Sequence, residues 1–524
     1  MNHFLFCILF LSTLNGLSQT TYYVSNSGSD QNSGLTEELA FSQINTAVDA
    51  AVCGDSIYVL EGIYNEKVNA YHFCDENNRI VVQGDLNSRP QIIGDSTVEN
   101  KYAIGATGSG FRFRHFDLTS PTPYVCDPSS MVVVGKGDYF DFIDVHVHHG
   151  GYDGIKTTSD CSENDVAIGW RIIDSEVYFN GLNCPTSIVN GDGIDFTGCQ
   201  NCVIENTLVR DNKGHQIQVK LGAKNVAIER CHVEGINMLQ IGLPGNVEAC
   251  DPNAINADSV AIKYNTMIAK GDTSEFVIKM ADVKNIFIEN NTIVKDSISS
   301  FDVGFICFGG CGSDESWQYA PQAPTFVRNN IFYSKADVPF LAGPDTTFFD
   351  PFSSLGNSVE ANYNLFFDDF NLYMFPPDGG PNSMVTDPVL CDYPSSFHVD
   401  ASSPCIDAGD PESNQDPDGS SNDIGAVYYQ SFCESIQVQD LEDSEASMLY
   451  PNPFNDQLNV HLDVGFKPCN LFIYNSQGKL LLKKVISEQH TILDMKDVMS
   501  GVFFFSILGA DLTIRCSGKI IKSQ

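Results

Sequence analysis

Basic residues are scarce in this sequence. Lysine and arginine together number 29, against 67 aspartate and glutamate residues, and the formal net charge is −38 at pH 7. The basic residues form no block, which argues against a nucleic acid or an anionic membrane as a partner. An anionic polymer would also be repelled by the chain as a whole, so a site for one requires local lysines or a bound cation.

Long apolar segments are absent apart from one at the N-terminus. Residues 2–18, NHFLFCILFLSTLNGLS, form a short apolar run that ends in small residues, and we predict a secretory signal peptide over residues 1–18. The run is too short to favour a transmembrane segment, and no other segment is suited to one. Of the 17 cysteines, 16 remain after Cys7 is removed with the signal. An even number in an exported chain is compatible with disulfides.

Metal-ligand motifs are weak. Cys199 and Cys202 form a single CxxC with no second pair, so buried cysteines or a disulfide are favoured over a zinc or redox site. The run HVHH contributes His146, His148 and His149. A solvated face is the favoured interpretation of these histidines.

Helical periodicity is almost absent, and a repeat of short β-like runs organises the middle of the chain. Eight related runs recur at intervals of 24 to 39 residues, and they begin at Phe113, Phe142, Ile172, Ile204, Ile228, Ile262, Ile288 and Val327. Each unit has a run, a turn of Gly, Asn or Asp, and a second run, which is typical of a solenoid. Asn265, Asn291 and Asn330 share one position, where stacked amides hydrogen-bond from coil to coil. The pattern predicts an all-β chain built on a right-handed parallel β-helix.

The start of the mature chain has a loop of Gly, Asn and Ser and then an amphipathic segment, TYYVSNSGSDQNSGLTEELAFSQINTAVDAAVCGDSIYVLEGIYNEKV, residues 21–68. It resembles the N-terminal segment of secreted β-helix proteins of the pectate-lyase-like superfamily. The resemblance implies that a helix at about residues 41–51 caps the open end of the solenoid, where backbone and apolar groups would otherwise be uncovered. It implies a β-helix over residues 19–345, in a chain that we expect to be monomeric, and says much less about activity.

Further modules follow this β-helix. Residues 346–436 are predicted to extend it, and within them residues 387–429, with SSPCIDAGD and DPDGSSNDIGA, resemble the segment that often closes bacterial surface β-helices. Either a calcium site or a plain polar turn fits the spacing of three aspartates here, namely Asp416, Asp418 and Asp423. Residues 437–447 are predicted to be an acidic linker.

The C-terminal residues 448–524 contain LYPNPFNDQLNVHL, LFIYNSQGKLLLKK, MSGVFFFSI and a final GKIIKSQ. They resemble the C-terminal sorting domain of type IX secretion substrates, with matching residues at 451–453, 478–479, Gly501, Lys519 and Lys522. The resemblance implies a small β-sandwich that serves as an address. It also implies export across an outer membrane by the type IX machinery, with release or attachment at the cell surface.

The second runs of four middle coils align as DGIKTT, DGIDFT, HQIQVK and NMLQIG. If the first apolar residue of each run points inward, strand alternation directs the intervening residues to solvent. Three outward rows are predicted: Asp153, Asp192, His215 and Asn237; Lys156, Asp195, Gln218 and Gln240; and Thr158, Thr197, Lys220 and Gly242. Because parallel coils lie about 4.8 Å apart, the rows form one compact polar face.

The polar face has the groups that a uronate lyase needs to neutralise the substrate carboxylate, remove the C5 proton and protonate the leaving oxygen. Aspartates can hold calcium for the first task, and a lysine of lowered pKa can be the base. The predicted calcium ligands are Asp153, Asp192 and Asp195. The base is Lys220, and the groups that help to bind or protonate are Lys156, His215 and Tyr152. The predicted substrate contacts are Gln216, Gln218 and Gln240.

The same face resembles that of calcium-dependent pectate lyases of the β-helix class. Their acidic pair in a D-G-aromatic-D setting is echoed by Asp192 and Asp195. The family has a further aspartate where this chain has Gly191, and its lysine spacing differs. The resemblance implies calcium, an acidic polysaccharide and β-elimination.

Other functions remain open. A polygalacturonase-like hydrolase fits Asn190 and Asp192, but it needs a second carboxylate where the next coil has Asp211 and Asn212. A noncatalytic adhesive or carbohydrate-binding surface protein needs only a polar exterior, because outward Asp, Lys and Gln also serve solubility.

A lyase of the chondroitinase-B or alginate-lyase type is a further alternative. It would use Glu275 and Lys279 in EFVIKMADVKN. Strand alternation is expected to place Lys279 in the row of Lys220.

Overall fold

The computed structural model describes residues 19–123, 125–159, 166–185, 191–242, 255–270, 276–296, 304–308, 324–334, 341–342, 359–368, 381–391, 393, 397–429, 448–450, 454, 457–461, 469–475, 480–487, 490–496, 498, 501–508 and 514–522. The chain divides into two compact units, residues 1–433 and 434–524. The predicted signal peptide and acidic linker lie outside the described residues.

The first unit begins with the strand Thr21–Val24, the 3₁₀-helix Glu37–Leu39 and the α-helix Ile44–Ala50, and a second 3₁₀-helix spans Pro128–Ser130. The apolar face of the α-helix is buried in the same cluster as the first strands. No helix in the described part of the chain has the length and apolar character that a membrane span requires.

Sheet 1 is a parallel sheet of ten short strands. In order of pairing they are Val68–Ala70, Ile104–Ala106, Val133–Gly135, Ile155–Thr157, Ile194–Thr197, His215–Lys220, Asn237–Ile241, Phe276–Met280, Gly304–Phe308 and Leu341–Ala342. Each strand pairs with the next strand of the sheet along the chain, one coil further on. This pairing is that of a parallel β-helix, as the repeat predicts.

Sheet 2 has 22 strands in two parallel bands. The first band comprises Thr21–Val24, Ser56–Val59, Ile80–Gly84, Arg171–Ile173, Gln200–Glu205, Ala223–Glu229, Ala257–Lys263, Val283–Glu289, Thr325–Arg328 and Val359–Asn362. The second band comprises Ile63–Asn65, Gln91–Ile93, Glu176–Tyr178, Leu208–Arg210, His232–Gly235, Thr266–Ala269, Thr292–Lys295, Ile331–Ser334, Leu365–Asp368 and Met384–Val385. Two long strands belong to both bands, Ser109–Thr119 and Asp138–His148.

The core follows from alternation within these strands. In Ser109–Thr119, Phe113 is fully buried, whereas Arg112 before it faces outward. Phe113 stacks on Phe142 of the next coil, with 5.6 Å between ring centroids. Repetition of such contacts joins the coils into one apolar cluster, and burial of apolar surface is the main stabilising term.

The predicted asparagine ladder is confirmed. The side-chain amide of Asn265 donates to Asn291 Oδ1 at 3.0 Å, and Asn291 donates to Asn330 Oδ1 at 2.9 Å. Asn330 in turn donates to Asn364 Oδ1 at 3.0 Å. The ladder and the parallel pairing therefore continue past residue 345 into the predicted C-terminal extension.

The turns of residues 397–429 pack against the last coils. Cys405 shares an apolar cluster with Ile331. Asn422 Oδ1 accepts a hydrogen bond from the Asn290 amide at 2.9 Å. These contacts make the segment part of the first unit.

The second unit contains two antiparallel sheets. The strands of one are Met448–Tyr450, Gln457–His461 and His490–Asp494, and those of the other are Leu480–Ile486, Cys469–Asn475, Gly501–Leu508 and Ile514–Lys522. One apolar cluster includes side chains of both sheets, among them Leu458 and Phe503. Residues 451–453 and 478–479 of the predicted sorting motifs lie outside the described residues.

Disulfides join cysteines within the first unit. The pairs with both partners described are Cys53–Cys74, Cys126–Cys184 and Cys199–Cys202. The CxxC is therefore a disulfide, as the sequence favours. Cys231 and Cys405 are buried free thiols.

Candidate functional site

The register of sheet 1 brings one predicted row together. Lys156 is paired with Asp195, Asp195 with Gln218, and Gln218 with Gln240. The alignment of the four sequence runs therefore gives the correct pairing across four coils. The other polar groups of the site lie beside this row.

The expected position of Lys279 is wrong. Its backbone pairs with Gln240, so it continues the row of Lys156 and not that of Lys220. The reason is that Ile278 pairs with Leu239, the first inward position of the run, and not with Ile241, the second, which places the lysine two residues earlier. Glu275, its proposed companion, lies outside the described residues.

Three buried carboxylates form what we call the carboxylate cluster, Asp153, Asp192 and Asp195. One oxygen of each lies within 4.8 Å of the other two, and no other described group of three His, Cys, Asp or Glu ligands is so close. Because calcium–oxygen distances are about 2.3–2.6 Å, oxygens around one ion lie within about 5 Å of each other. The donor set and its spacing fit one divalent cation.

Backbone amides of the following coil orient two of these carboxylates. Asp153 Oδ1 accepts hydrogen bonds from the N–H groups of Gly191 and Asp192, at 3.0 and 2.9 Å. Asp192 Oδ1 accepts one from the N–H of His215 at 2.6 Å. Both aspartates stand at the start of a sheet 1 strand, where such amides are available. These bonds fix the cluster before any ligand binds.

Two lysines balance part of the charge. Lys156 Nζ donates to Asp153 Oδ2 at 2.9 Å and also to Asp195 Oδ2. Lys220 Nζ lies 3.1 Å from the same Asp195 oxygen and donates to Gln218 Oε1. Three carboxylates against two ammonium groups leave one negative charge when all are ionised. An additional cation is therefore favoured electrostatically.

The pKa shifts follow from burial and these contacts. Burial raises the pKa of Asp153 to about 6, Lys156 opposes the rise, and Asp192 and Asp195 add to it. Burial would also raise the pKa of Asp195, but Lys156 and Lys220 outweigh it and lower that pKa. Burial disfavours the charged form of Lys156, yet Asp195 and Asp153 outweigh it and raise its pKa. Lys156 is thus a fixed ammonium, which suits binding better than proton donation.

The polar face is far less solvated than alternation predicts. Asp153 and Asp195 are fully buried, and the side chains of Lys156 and Lys220 are only 19% and 13% exposed. Ion pairs and hydrogen bonds to the next coil fold these side chains onto the sheet. Period-2 alternation gives the face of a side chain but not its final exposure. Because the lysines are more exposed than the aspartates, solvent reaches the cluster at the two ammonium groups.

The predicted substrate contact by Gln216 is wrong. This side chain is fully buried, and its Oε1 accepts from the N–H and the amide of Asn212, at 3.1 and 2.9 Å. Its Nε2 donates to the carbonyl of Asn237 at 3.3 Å. Asn180, in the coil before Asn212, donates to Asn212 Oδ1. Gln216 therefore belongs to a second amide ladder that joins coils.

The other predicted contacts lie beside the cluster. Gln218 is bonded to Lys220, and Gln240 Nε2 donates to the Gly242 carbonyl at 2.6 Å, so both amides are held in place. Thr197, to which the sequence assigned no role, donates its hydroxyl to Asp195 Oδ1 at 2.9 Å. Its position two residues after the aspartate, on the same face of the strand, is the signal that sequence reasoning missed.

His215 contacts the cluster, and Tyr152 precedes Asp153 in the chain. His215 Nδ1 lies 3.3 Å from Asp192 Oδ1. Burial raises the pKa of Tyr152, Asp153 adds to the rise, and Lys156 opposes it. His215 is therefore close enough to assist chemistry at Asp192.

Gly191 explains the departure from the pectate lyase pattern. Its φ is +98°, and a Cβ at this position would lie 2.7 Å from the Cα of Gly181. The two glycines pack backbone to backbone. An aspartate at position 191 is excluded by the coil itself, so the cluster has three carboxylates and no fourth.

The three aspartates of the second predicted calcium site do not converge on one point. Asp416 Oδ2 accepts from the N–H of Asp423 at 2.9 Å, and Asp423 accepts from the N–H groups of Asp407 and Tyr429 with its two oxygens. Asp418 is bonded to Ser420 in a turn of its own. Among the described residues these three aspartates are not a close ligand group. The polar-turn interpretation accounts for them.

A hydrolase pair is not found in the coil after Asp192. Asp211 pairs with Arg210 at 2.9 Å, and Asn212 is part of the second amide ladder. Asn190 lies outside the described residues. The carboxylate that inversion or retention needs is therefore not supplied by this coil.

The histidine run is an ordered pair bound to an acid. His148 Nε2 lies 2.6 Å from Asp117 Oδ1, and His148 Nδ1 lies 2.7 Å from His149 Nδ1. Among the described residues no third ligand joins them at metal-binding distance.

Comparison with known proteins identifies the C-terminal region. Residues 448–523 match the family described as the secretion system C-terminal sorting domain. This region is a type IX sorting domain. It indicates export by the type IX system to the cell surface or the extracellular space. No curated protein sequence matches the chain.

Solved structures resemble the β-helix. A pectate lyase, Pel9A, is 18% identical, with a TM-score of 0.47 over 79% of this chain and 98% of its own. A rhamnogalacturonan lyase is 13% identical, with a TM-score of 0.42 over 78% and 95%. A lacto-N-biosidase from Eubacterium ramulus is 11% identical, with a TM-score of 0.43 over 70% and 67%. At these identities the chemistry must be argued from the residues of this chain alone.

Proposed function

We propose that this protein is an exported polysaccharide lyase that cleaves an acidic polysaccharide by β-elimination at the carboxylate cluster of sheet 1. The observation that carries the proposal is the convergence of three buried carboxylate oxygens within 4.8 Å, beside the amine of Lys220. A polar surface chosen only for solubility has no reason to bury three acids together, because each buried charge is costly unless it is paired.

The roles follow from position. The cluster would hold a divalent cation, preferably calcium, and that ion would supply the positive charge that neutralises the substrate carboxylate and acidifies the neighbouring C–H. Lys220 first releases its own proton to solvent and, as the neutral amine, accepts the C5 proton; the C5–H electron pair then forms the C4–C5 double bond, and the C4–O bond breaks. His215, beside Asp192, is placed to give a proton to the leaving oxygen. Lys156, Gln218 and Gln240 line the approach along the row.

A lyase leaves an unsaturated uronate that absorbs in the ultraviolet, and this product is the test. The purified protein is incubated with pectate, alginate and glycosaminoglycans, with calcium and with a chelator. Lys220→Ala is expected to lower the rate by about 10²–10⁴-fold, the usual contribution of a general base. Lys224→Ala is the matched control, because that lysine is exposed on a neighbouring strand. Wild-type rates in Lys220→Ala would reject the assignment of the base, and no absorbance on any polymer would reject the lyase.

The second candidate is a noncatalytic polysaccharide-binding protein. The observation that favours it is the burial of the cluster, whose ion pair between Lys156 and Asp195 and whose backbone hydrogen bonds also join successive coils. Under this function the acidic polymer is retained and not cleaved. Retention without ultraviolet absorbance would support it.

A further inference from the structure

A cluster of arginines surrounds one aspartate on the outer face of the first band of sheet 2. Asp141 is fully buried, and Arg79 Nη1 lies 3.0 Å from its Oδ1. Arg112 Nε and Nη2 both lie 2.8 Å from its Oδ2. Arg171 Nη1 lies 3.9 Å from the same oxygen. Three guanidinium groups therefore share one carboxylate.

The register explains this convergence. Arg112, Asp141 and Arg171 are consecutive partners across three coils. Their outward side chains stack in one row, with the two arginine backbones about 10 Å apart, two strand spacings. Arg114 is exposed on the same face as Arg112, two residues further along the strand.

The charge of this region is opposite to that of the chain. Four arginines and Asp141 sum to three positive charges, in a protein whose formal net charge is −38. Burial lowers the pKa of the Arg79 guanidinium, Asp141 opposes this, and the positive charges of Arg112 and Arg171 add to it. The neighbouring positive charges therefore disfavour the charged form of the Arg79 guanidinium.

Neighbouring acids do not remove that excess. Asp138 accepts a hydrogen bond from the N–H of Ile168 at 3.0 Å, and burial raises its pKa. Glu76 is exposed, and Arg79 contacts its backbone carbonyl.

Arg112 and Arg79 already form ion pairs with the buried carboxylate of Asp141. Arg171 is 42% exposed, and its only ion pair among the described residues is the 3.9 Å contact with Asp141. The described residues offer Arg114 no ion-pair partner within 4.0 Å. Two guanidinium groups thus keep free donors at the surface.

We propose that Arg112, Arg114 and Arg171 form a site for the oxyanion groups, carboxylate or sulfate, of an acidic polysaccharide. A guanidinium fork binds both groups through paired N–H donors. The choice of a polysaccharide as the carrier rests on the proposed function. The site itself rests on the arginine geometry. It requires a polymer that carries carboxylate or sulfate groups.

The site lies on a different face of the coils from the carboxylate cluster. Ile155–Thr157 belongs to sheet 1, and the next strand along the chain, Arg171–Ile173, belongs to sheet 2. A polymer long enough to reach both faces would be held by a second contact, which raises its effective concentration at the cluster. The arginines also supply the local attraction that an acidic polymer needs against the overall charge.

The test uses the double variant Arg114→Gln/Arg171→Gln and leaves Arg112 unchanged, because its loss would strand the buried Asp141. The control is Arg230→Gln, whose guanidinium is already paired with Glu205 and Glu229 at 2.7 and 3.3 Å. All proteins carry Lys220→Ala, so that no polymer is cleaved. Binding is measured by affinity electrophoresis in gels that contain pectate, alginate, chondroitin sulfate or neutral dextran.

We expect retardation by at least one anionic polymer, about tenfold weaker in the double variant and unchanged in the control, and weaker at high salt. Pectate or alginate binding would identify carboxylate as the bound group, and chondroitin sulfate alone would identify sulfate. Equal retardation of the double variant, equal retardation by dextran, or no retardation by any anionic polymer would overturn the site. Arginine-dependent binding without ultraviolet product from the wild type would reject the lyase and leave the site standing.

Discussion

Two acidic regions of the first unit look alike in sequence and differ in structure. The carboxylate cluster brings oxygens of Asp153, Asp192 and Asp195 within 4.8 Å of each other, next to two lysines. In the loop of Asp416 and Asp423, the carboxylate oxygens accept from backbone N–H groups and do not converge. The two regions differ because the backbone directs the carboxylates toward one point in the cluster and toward separate N–H groups in the loop.

The contrast shows what a count of aspartates leaves out. In sheet 1, register stacks side chains of successive coils, so residues far apart in sequence meet at one point. In a turn, nearby aspartates compete for the backbone amides of that turn. Three acids within eight residues of this loop therefore stay apart, whereas three acids spread over two coils converge.

The largest effect is expected when the cluster is broken at Asp195, the acid shared by both lysines. Asp195→Asn removes the charge that positions Lys156 and Lys220, and we expect turnover of the acidic polymer to fall by about 100-fold or more. The rate of ultraviolet product formation measures it. Circular dichroism checks that the variant folds.

Asp418→Asn is the matched change in the loop, because Asp418 is exposed and bonded only within its turn. Its rate of product formation and its free energy of unfolding are expected to match those of the wild type. A rate loss in Asp418→Asn as large as that in Asp195→Asn would erase the distinction between the two regions.

A fourth carboxylate is expected to destabilise the cluster instead of improving it. Gly191→Asp adds a Cβ that would lie 2.7 Å from the Gly181 Cα, and we expect the free energy of unfolding to fall by about 2–4 kcal/mol. Denaturant titration measures the loss.

Gly222→Asp separates the cost of a positive φ from the cost of a steric clash. Gly222 also has a positive φ, +86°, but a Cβ there has nothing within 4 Å. Its cost is expected to be about 1 kcal/mol, from the backbone conformation alone. Equal costs for the two variants would show that the glycine pair does not shape the cluster.

The loop makes a pH-dependent prediction. Burial raises the pKa of Asp416 to about 6, and Asp423 and Asp418 add to the rise while the Asp423 N–H opposes it. The folded state therefore binds this proton more tightly than the unfolded state, and its contribution to stability is lost as the pH rises from about 4 to about 6. We expect Asp416→Asn to be more stable than the wild type at pH 7 by roughly 1–2 kcal/mol, and to gain little at pH 4.

Unfolding titrations at the two pH values, with a chelator and with calcium, measure this difference. A variant that is less stable than the wild type at pH 7, and only when calcium is present, would make the loop a metal site after all.

Much of the fold was predictable because apolar alternation and stacked asparagines repeat from coil to coil. The row through Lys156 and Asp195 followed from the same alignment. The burial of Asp153, the ladder position of Gln216 and the row of Lys279 did not follow, because they depend on contacts between coils. Alternation within one strand carries no information on such contacts.

The arginine site was also missed. Arg112 and Arg114 stand out in FRFRH, but Asp141 and Arg171 join them only through parallel register over three coils. The signal in the sequence is a run of charged residues at the same outward position of successive coils. A similar scan across coils follows the asparagine row to Asn364, in the predicted C-terminal extension.

Calcium titration by calorimetry tests the central claim most directly. Chelator-treated wild type is expected to bind a calcium ion that Asp195→Asn no longer binds, and Asp418→Asn is expected to bind it as the wild type does. Calcium binding that survives Asp195→Asn, or that is lost in Asp418→Asn, would contradict the assignment of the carboxylate cluster as the functional centre.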